Sequence, residues 1–421
     1  KQGTDYQLLA DRQYVVEAVF ENLQVKQTVF SEVEKHISTE CLIASNTSSF
    51  SIAELASVLQ HPQRAFGAHY FYHAAKNKLV EIIPGAMSEP ASIAKLASFY
   101  FDIDKVPIVV GDVYGFAVNR FFVPWLNEAV RLHEEGLGTT AFIDDQAREI
   151  FGVGMGPFAL MNATGVPIAY HSARTLEDHF GPMYAPATLL EKQVNAGLEW
   201  NIADTGSPEN NAVEVRKRLL AMSLGVAAQM VSEGVANITD TDLGARLGLR
   251  WPFGPFELIN QIGAAEIKTV VNEVFAKYDQ PMPALLDKVD PSLGFSLEHV
   301  RAHVVGKTGL LEFNRPDAMN ALNPQVAESL ATALASLDGN PEIDKIIVFG
   351  RGKAFVAGAD IKFFLENIHA NTLDNIVQFT SRGQEIFKVL ANSQKQTIAY
   401  VDGLTLGGGL ELALACDARL A

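Results

Sequence analysis

The chain has 421 residues, of which 48% are hydrophobic and 19% charged, a composition typical of a globular protein with more than one packed core. The formal net charge of −16 argues against a protein that binds nucleic acid or a membrane surface through its overall charge, and no apolar stretch is long enough to span a bilayer. Cys41 and Cys416 lie in apolar runs, so we expect buried, reduced thiols in a cytoplasmic protein and no metal site.

Residues 14 to 110 alternate between short β-branched runs and amphipathic helical patterns. The strand candidates are 14–20, 41–45, 64–71, 78–83 and 106–110, and the helical candidates are 25–35, 52–60 and 92–101. Ser51 and Glu54 form a capping-box pattern at the start of the second helix. The alternation predicts a doubly wound α/β sheet of Rossmann type, in which a ligand binds at the carboxyl ends of the strands.

Residues 115 to 290 are mostly helical and contain an internal repeat. The segments "GPFALMNATG" and "GPFELINQIG" start at residues 156 and 254, which are 98 positions apart. At the same offset Glu135-Gly136 matches Glu233-Gly234, and Ala147-Arg148 matches Ala245-Arg246. Several matches in one register indicate that a helical unit was duplicated.

Strand–helix alternation resumes after a proline-rich linker. It includes a hairpin, "HVVGKTGLLEF", with Lys-Thr at its turn, a helix from about Pro324 to Leu337, and the strands "KIIVFG" and "TIAYV". The predicted domains are a first α/β domain (1–110), two repeats of a helical domain (111–198 and 199–290), a linker (291–300) and a second α/β domain (301–421).

The segment "GAHYFYHAAKNKLVEII" places His69 and Glu81 on two consecutive strand candidates. A histidine can take a proton from an alcohol near neutral pH if a carboxylate fixes its tautomer, as the acid does in a catalytic triad. Taken alone, these two residues are better explained as a satisfied core histidine beside a surface glutamate. The hydroxyl-rich "ASNTSS" (44–49) and Asn119 at the start of a long helix suit a polar ligand, but also suit helix capping.

Together these segments resemble the 3-hydroxyacyl-CoA dehydrogenase family. The motifs "VVEAVFENLQVK", "ASNTSS", "GAHYF", "KLVEII" and "GFAVNRFFVPWLNEAVRL" follow the family order, and the resemblance runs from about Tyr14 to Gly263. It implies NAD-dependent oxidation of a 3-hydroxyacyl-CoA to a 3-ketoacyl-CoA. The implied roles are general base or acid for His69, its orientation for Glu81, a hydrogen bond to the substrate oxygen for Ser48, acyl-group binding for Asn119, and cofactor contact for Ala18, Glu21, Lys26 and Ser48.

Two features depart from that family. No glycine-rich pyrophosphate-binding turn precedes the first strand, so the Rossmann-type sheet is expected to be incomplete and the sequence to be a fragment cut at both ends. The family follows its histidine with an aromatic pair, asparagine and proline, whereas Tyr72 and His73 occupy the last two positions here. The replaced asparagine lies near the cofactor in the family, so cofactor contacts and acyl specificity are left open.

Two loops rich in small residues, "GKAFVAGADI" (352–361) and "DGLTLGGGLELALACD" (402–417), suggest a second site. Backbone amides in such loops can stabilise an oxyanion, although a simple glycine turn with a glutamate at a helix start also fits. With "NRPDAMNALN" (314–323) the loops resemble the N-terminal part of the crotonase superfamily. The resemblance implies an oxyanion hole from Ala359 and Gly408, with Glu411 as acid/base, for either enoyl-CoA hydration or isomerisation.

The combined interpretation is a bifunctional enzyme of fatty-acid β-oxidation, dehydrogenase first and crotonase-like domain second, acting on acyl-CoA thioesters with NAD as cofactor. A non-catalytic acyl-CoA-binding relative is the alternative from another class. A homo-oligomer or a thiolase partner is compatible with this interpretation.

Overall fold

The computed structural model describes residues 3–203 and 211–421. The chain forms two compact units, the first ending at Phe295 and the second spanning Ser296–Ala421. Residues 204–210, which belong to the predicted second helical repeat, lie outside the described residues. Within the described ranges no helix is both long and apolar enough to cross a membrane.

The first unit begins with a five-stranded sheet whose spatial order follows the chain. Its strands are β1 (Tyr14–Glu17), β2 (Leu42–Ser45), β3 (Ala65–Tyr70), β4 (Leu79–Pro84) and β5 (Val106–Val109), and its helices are α1 (Leu23–Glu34), α2 (Ile52–Ala56) and α3 (Pro90–Asp102). Short 3-10 helices lie at Tyr6–Leu9 and Pro62–Arg64. The predicted strands and helices of this region are therefore confirmed, with ends shifted by a few residues.

The sheet is parallel except between β3 and β4, which run antiparallel. Only residues 71–78 join these two strands, and a parallel connection needs a crossover of a dozen or more residues. The antiparallel register places His69 directly opposite Glu81. One face of the sheet packs through buried apolar residues such as Phe66, Val80 and Ile82.

The capping box predicted for Ser51 and Glu54 does not form. The Ser51 side chain makes no capping bond; its hydroxyl donates to Asp112 instead, at 2.8 Å. The amides of Ile52 and Ala53 also donate to the Asp112 carboxylate, at 2.8 and 2.9 Å. A partner about sixty residues away therefore caps α2, which no local pattern could indicate.

The rest of the first unit is helical. Its described helices are α4 (Val118–Glu134), α5 (Thr140–Phe151), α6 (Pro157–Thr164), α7 (Val166–Phe180), α8 (Thr188–Ala196), α9 (Ala212–Leu220), α10 (Val226–Ser232), α11 (Ile238–Gly248), α12 (Pro255–Ile262), α13 (Ala264–Ala276) and α14 (Ala284–Lys288). A π-helical segment, Ala221–Gly225, joins α9 to α10, and a 3-10 turn lies at Pro182–Tyr184.

Equivalent residues of the two sequence repeats make equivalent hydrogen bonds in the structure. Asp144 accepts the amides of Phe158 and Ala159 at the start of α6, and Asp242, 98 positions later, accepts those of Phe256 and Glu257 at the start of α12. A second pair of equivalent residues, Asn162 and Asn260, also makes equivalent hydrogen bonds. Asn162 bonds both backbone groups of Trp200, and Asn260 does the same with Phe295.

The two repeats exchange ion pairs with each other. Arg120 of the first repeat donates to Glu233 of the second at 2.9 Å, and Arg218 of the second donates to Glu135 of the first at 2.9 Å. Residues 120 and 218 are equivalent in the repeat, as are 135 and 233, since both pairs are 98 apart. This reciprocal contact is the signature of a two-fold, isologous interface, here built within one chain.

The second unit contains a sheet in the order β12-β10-β8-β7-β6 and a separate two-stranded sheet of β9 and β11. The strands are β6 (Val300–Val305), β7 (Thr308–Phe313), β8 (Lys345–Gly350), β9 (Ala354–Ala357), β10 (Gln396–Tyr400), β11 (Leu404–Leu406) and β12 (Ala418–Leu420), and the helices are α15 (Pro324–Asp338), α16 (Ile361–His369), α17 (Leu373–Ala391) and α18 (Gly408–Ala415). A 3-10 turn lies at Pro316–Ala318.

The hairpin of β6 and β7 differs from the prediction at its turn. Val305 pairs with Thr308, so Gly306 and Lys307 form the two-residue loop in place of the predicted Lys-Thr. Gly306 has φ +57, the left-handed conformation that such short turns require. Within the predicted linker, Phe295 packs on Phe256 and Val300 begins β6.

Candidate active sites

His69 and Glu81 meet across β3 and β4. The two side chains are 2.6 Å apart between His69 Nδ1 and Glu81 Oε2, and Glu81 is completely buried. The other carboxylate oxygen, Oε1, accepts the backbone amides of Ala117 and Val118 at 3.1 and 2.9 Å. Because a carboxylate only accepts hydrogen bonds, His69 Nδ1–H is the donor, and in the neutral imidazole the lone pair is then on Nε2.

Aromatic rings fix the imidazole in place. The centroid of the His69 ring lies 4.6 Å from that of Phe71 and 5.5 Å from that of Phe116, and only 6% of His69 is exposed. The hydroxyl of the next residue, Tyr70, is hydrogen-bonded to the hydroxyl of Tyr100, with 2.9 Å between the two oxygens. Burial raises the pKa of Tyr70. Tyr70 therefore stays protonated at neutral pH.

Ser48 and Asn119 line one narrow cleft, together with Gly115 and residues of α4 and α7. Asn119 directly follows Val118, whose amide donates to Glu81. The loop that carries Ser48 is tied to the end of β3, because the Tyr70 amide donates to Asn46 Oδ1 at 3.1 Å. The His69–Glu81 pair and the Ser48–Asn119 cleft are thus held at the same edge of the sheet.

The residues predicted to contact the cofactor differ in accessibility. Ala18 is exposed after β1, and Glu21 is also exposed, with Oε1 accepting Thr47 Oγ1 at 2.6 Å and the Ser48 amide at 3.0 Å. Lys26 is buried, and its ammonium contacts Glu17 Oε1 at 3.0 Å and Glu21 Oε2 at 3.2 Å. Lys26 therefore reaches this surface through Glu21.

Glu17 is a buried residue that the sequence patterns did not single out. Its Oε2 accepts the Ser45 hydroxyl at 2.6 Å, and it pairs with Lys26. It thereby ties the end of β1 to the end of β2. Its position four residues into a β-branched run marks it only as a strand residue, so its pairing with a later helix has no local signal.

The exposed end of β1 fits the nicotinamide end of a dinucleotide. Val19 is 38% exposed and Phe20 86% exposed, and the adjacent Glu21 accepts the amide of the exposed Ser48. A nicotinamide ring presents a flat apolar face and a carboxamide, and it binds at the carboxyl ends of parallel strands in this type of sheet. Apolar surface beside hydroxyl and carboxylate groups is what such a ring needs.

The second unit aligns its two small-residue loops. Leu406 pairs with Ala357 in parallel register, so Ala359 and Gly408, two residues further along each strand direction, lie at the same end of the β9/β11 pair. A Cβ on Gly407 would be 3.9 Å from the Gly358 Cα, which shows how closely the loops approach. Gly408 begins α18, whose first turn carries the exposed Glu411. Both amides therefore lie near a helix N-terminus that favours negative charge.

Asn320 belongs to the motif "NRPDAMNALN" but was not predicted to have a role of its own. Its side chain holds these loops together through hydrogen bonds. It is completely buried, and its amide nitrogen donates to the carbonyls of Ala354 and Phe355 at 2.8 and 3.2 Å. Its oxygen accepts the Arg315 amide at 2.8 Å. The motif "NRPDAMNALN" thus holds the strand that leads to Ala359.

The cysteines take no part in either site. Both are buried and free. Burial raises the pKa of Cys41 and raises that of Cys416 to about 11, so both remain thiols. No group of potential metal ligands occurs among the described residues.

Comparison with known protein families matches the chain in consecutive parts. The NAD-binding domain of 3-hydroxyacyl-CoA dehydrogenase matches residues 1–113, and the C-terminal domain of the same enzyme matches residues 115–201 and 215–293. The chain belongs to the 3-hydroxyacyl-CoA dehydrogenase family. The enoyl-CoA hydratase/isomerase family matches residues 307–421, which form most of the second unit.

Solved structures are similar to each part. 3-Hydroxybutyryl-CoA dehydrogenase from Escherichia coli superimposes with a TM-score of 0.62 at 21% identity, covering 68% of this chain and 83% of that chain. (S)-3-Hydroxybutyryl-CoA dehydrogenase from Ralstonia eutropha gives 0.46 at 32% identity, covering 48% and 71%. An enoyl-CoA hydratase/carnithine racemase from Magnetospirillum magneticum gives 0.28 at 33% identity, covering 30% and 46%.

The chain is accordingly an enzyme that joins an NAD-dependent 3-hydroxyacyl-CoA dehydrogenase to an enoyl-CoA hydratase/isomerase domain, the two adjacent activities of fatty-acid β-oxidation. The predicted Rossmann-type, helical and crotonase-like parts and the predicted NAD cofactor are confirmed. Acyl-CoA thioesters fit both domains as substrates.

Proposed function

We propose that His69 is the general base of the dehydrogenase reaction and that Glu81 orients it. The observation that carries this proposal is the 2.6 Å contact between His69 Nδ1 and a carboxylate that is itself fixed by two backbone amides. Such a carboxylate selects the tautomer in which Nε2 can accept a proton and favours the imidazolium that results.

In the proposed reaction His69 Nε2 removes the proton of the substrate 3-hydroxyl. A bound NAD would supply the acceptor for the hydride that leaves C3, so that the alcohol would lose two electrons and become the ketone. Ser48 donates its hydroxyl to the substrate oxygen, and Asn119 hydrogen-bonds the acyl group. Glu21 and the apolar surface at Ala18 are proposed to border the nicotinamide, with Lys26 holding Glu21 in position.

The test is NADH formation from 3-hydroxybutyryl-CoA by the full-length protein. His69→Ala should lower kcat by about 10²- to 10⁴-fold, the usual contribution of general acid–base catalysis. His61→Ala is the control, because His61 contacts Glu34 through its backbone amide, which alanine keeps. A His69→Ala variant with the wild-type rate would rule out the assignment.

For the second unit we propose enoyl-CoA hydration. The amides of Ala359 and Gly408 would hold the thioester oxygen as it gains negative charge, and Glu411 would transfer protons between water and the substrate. Support comes from the parallel register that aligns the two loops and from Glu411 on the first turn of α18. Isomerisation of a 3-enoyl-CoA uses the same groups and is the alternative activity.

Crotonyl-CoA hydration distinguishes the two reactions. Glu411→Gln should lower the hydration rate at least 10²-fold, and Glu366→Gln, at an exposed position of α16, should not change it. Isomerisation of a 3-enoyl-CoA without hydration of crotonyl-CoA would assign the unit as an isomerase.

Hydration of an enoyl-CoA yields the 3-hydroxyacyl-CoA that the first unit oxidises, so one chain can carry out consecutive steps. A cytoplasmic location, with the two cysteines kept as thiols, is part of this proposal. A homo-oligomer or a thiolase partner stays a prediction.

A further inference from the structure

The motif "NRPDAMNALN" runs alongside the loop that carries Ala359. Leu322, near the end of the motif, forms a parallel β-bridge with Ala359. The Leu322 amide donates to the Gly358 carbonyl, and the Leu322 carbonyl accepts the Asp360 amide, both at 2.8 Å. The buried Leu322 side chain also reaches the second loop, because a Cβ built on Gly408 would lie 3.1 Å from Leu322 Cδ1. One residue of the motif therefore contacts both segments that carry the proposed oxyanion amides.

This bridge sets the direction of the Ala359 amide. A peptide unit is planar and trans, so its C=O and its N–H point in opposite directions. The carbonyl of Gly358 and the amide of Ala359 belong to the same peptide unit, and that carbonyl accepts the hydrogen bond from Leu322. The Ala359 N–H therefore points away from the motif, and any shift of the bridge would redirect it.

Arg315 lies beside the bridge and joins its two strands. Its Nη1 donates to the Ala321 carbonyl at 3.2 Å and to Asp360 Oδ2 at 2.9 Å. The first acceptor belongs to the residue before Leu322, and the second to the residue after Ala359. Hydrogen bonds between ionised groups are about twice as strong as neutral ones. The guanidinium thus ties the motif to the Ala359 loop at the positions next to the bridge.

Asp360 uses its two carboxylate oxygens for different partners. Its Oδ2 accepts from Arg315, and its Oδ1 accepts the Lys362 amide at 3.1 Å as the N-cap of α16. The side chains of Arg315 and Asp360 are 19% and 18% exposed, so salt and water screen their attraction less than on an open surface. The ion pair therefore holds the residue after Ala359 against both the motif and the helix.

We propose that Arg315 is a positioning residue of the second unit's reaction, which keeps the Ala359 amide aimed at the thioester oxygen by anchoring Asp360. The inference rests on the proposed function, because it takes Ala359 as a donor to the oxyanion. Arg315 acts through the backbone and needs no contact with the substrate. A misaligned donor loses more of its bond to the developing negative charge than to the neutral carbonyl, so the loss falls on kcat rather than on KM.

The experiment measures kcat and KM for crotonyl-CoA hydration by the full-length protein, or for isomerisation of a 3-enoyl-CoA if that is the activity found. Arg315→Gln should lower kcat by about 10- to 10²-fold, the loss that a displacement of up to about 1 Å causes, and change KM by less than about threefold. Asp360→Asn should do the same, because its oxygen stays on the Lys362 amide and its NH₂ group then faces the guanidinium. The double variant should lose no more than either single variant, since the two residues act as one pair.

Two further variants separate positioning from a general effect on the fold. Arg315→Lys keeps the positive charge with fewer donors, so it should retain more of kcat than Arg315→Gln. The matched control is Arg382→Ala. Arg382 forms an ion pair of the same kind, with Glu328 at 2.8 Å, but it joins α17 to α15. Its loss should leave kcat and KM at the wild-type values.

Wild-type kcat in both Arg315→Gln and Asp360→Asn would overturn the positioning role and leave the hydratase assignment intact. A raised KM at unchanged kcat would also overturn it, as would an equal loss of kcat in Arg382→Ala. If thermal unfolding shows that Arg315→Gln does not fold, the same criteria apply to Arg315→Lys and Asp360→Asn. A wild type that neither hydrates crotonyl-CoA nor isomerises a 3-enoyl-CoA would overturn the proposed function of the unit together with this inference.

Discussion

Glu81 receives three hydrogen bonds, from His69 Nδ1 and from the amides of Ala117 and Val118. The two amides belong to the start of α4, one residue before Asn119. One buried carboxylate therefore connects His69, the proposed base, through the backbone of α4 to the residue proposed to hold the acyl group. The arrangement makes the orientation of the imidazole depend on the charge state and identity of a single side chain.

Glu81→Gln tests this dependence. If the new amide keeps its oxygen toward Ala117 and Val118, its NH₂ group faces His69 Nδ1, which must then act as acceptor and moves the ring proton to Nε2. The base is lost, and we expect kcat to fall by about 10³- to 10⁴-fold, as found when the orienting acid of a triad becomes an amide. Steady-state NADH formation measures this, with the exposed Glu89→Gln as control.

A loss of less than threefold in Glu81→Gln would contradict the role of Glu81 as the orienting group. Thermal unfolding of the same variant separates misorientation from misfolding, because glutamine matches glutamate in size and still accepts the two amides.

The His69–Glu81 pair was predictable because each residue lies in a short strand pattern, apolar and aromatic in 64–71 and β-branched in 78–83, and a short polar segment joins the two. The amides of Ala117 and Val118 were not, since they belong to a helix that begins more than thirty residues later. Side chains that join neighbouring strands can be predicted locally; those that join domains depend on the tertiary fold.

At the scale of elements, α11 shows how the duplicated repeats have diverged. Gly244 and Gly248 are four residues apart on α11, where the first repeat has Gln146 and Ile150. A Cβ on Gly244 would be 2.7 Å from Val118, and the Gly248 carbonyl accepts the Asn77 amide at 2.9 Å. The small residues thus let α11 of the second repeat pack closely on the first α/β domain.

Local patterns predicted the elements well and their ends less well. The periodicity of 324–337 gave the helix that became α15, whereas 352–361 and 402–417 were read as loops although they contain β9 and β11. Strands of three or four residues have too few positions for an alternating pattern, and these two pair only with each other. Their partner lies some fifty residues away.

Gly248→Ala should displace the imidazole of His69 through the Phe71 ring that packs against it. The new Cβ would lie 2.7 Å from Leu79 Cδ2 and 3.2 Å from Phe71 Cδ1, and the Phe71 ring is 4.6 Å from His69. Overpacking costs about 1–3 kcal/mol, more than the gain of about 1 kcal/mol from alanine in a helix. We expect a lower melting temperature for the first unit and a reduced kcat.

The control is Gly383→Ala on α17, where a Cβ would meet no atom within 4 Å. That substitution should raise the stability of its unit by the helix-propensity gain alone. Equal, stabilising effects of both substitutions would show that α11 does not pack against the sheet as described.

At the scale of the whole molecule, two reciprocal ion pairs, Arg120–Glu233 and Arg218–Glu135, join the two copies of the helical repeat. The copies are not identical in charge. Arg218 also donates to the buried Glu128 at 2.5 Å, whereas the position equivalent to Glu128 in the second repeat is Val226. Arg120 instead lies over the Phe180 ring, 3.5 Å from its centroid. The duplicated sequence predicted two copies, but this reciprocal pairing emerged only from their packing.

This asymmetry predicts unequal costs for two equivalent substitutions. Glu233→Gln removes the carboxylate that pairs with Arg120, whose side chain is 1% exposed, and should lower the free energy of unfolding by about 2 kcal/mol, the value of a hydrogen bond to a charged group. Glu135→Gln leaves Arg218 paired with Glu128, so its cost should be no more than about half of that. The carboxylates of 233 and 135 are 39% and 50% exposed, which makes the two sites comparable in solvation.

Urea unfolding of the full-length protein, followed by the transition of the first unit, measures both values. Equal losses in the two variants would mean that the second partner of Arg218 contributes nothing, and a larger loss in Glu135→Gln would reverse the asymmetry argued from Val226.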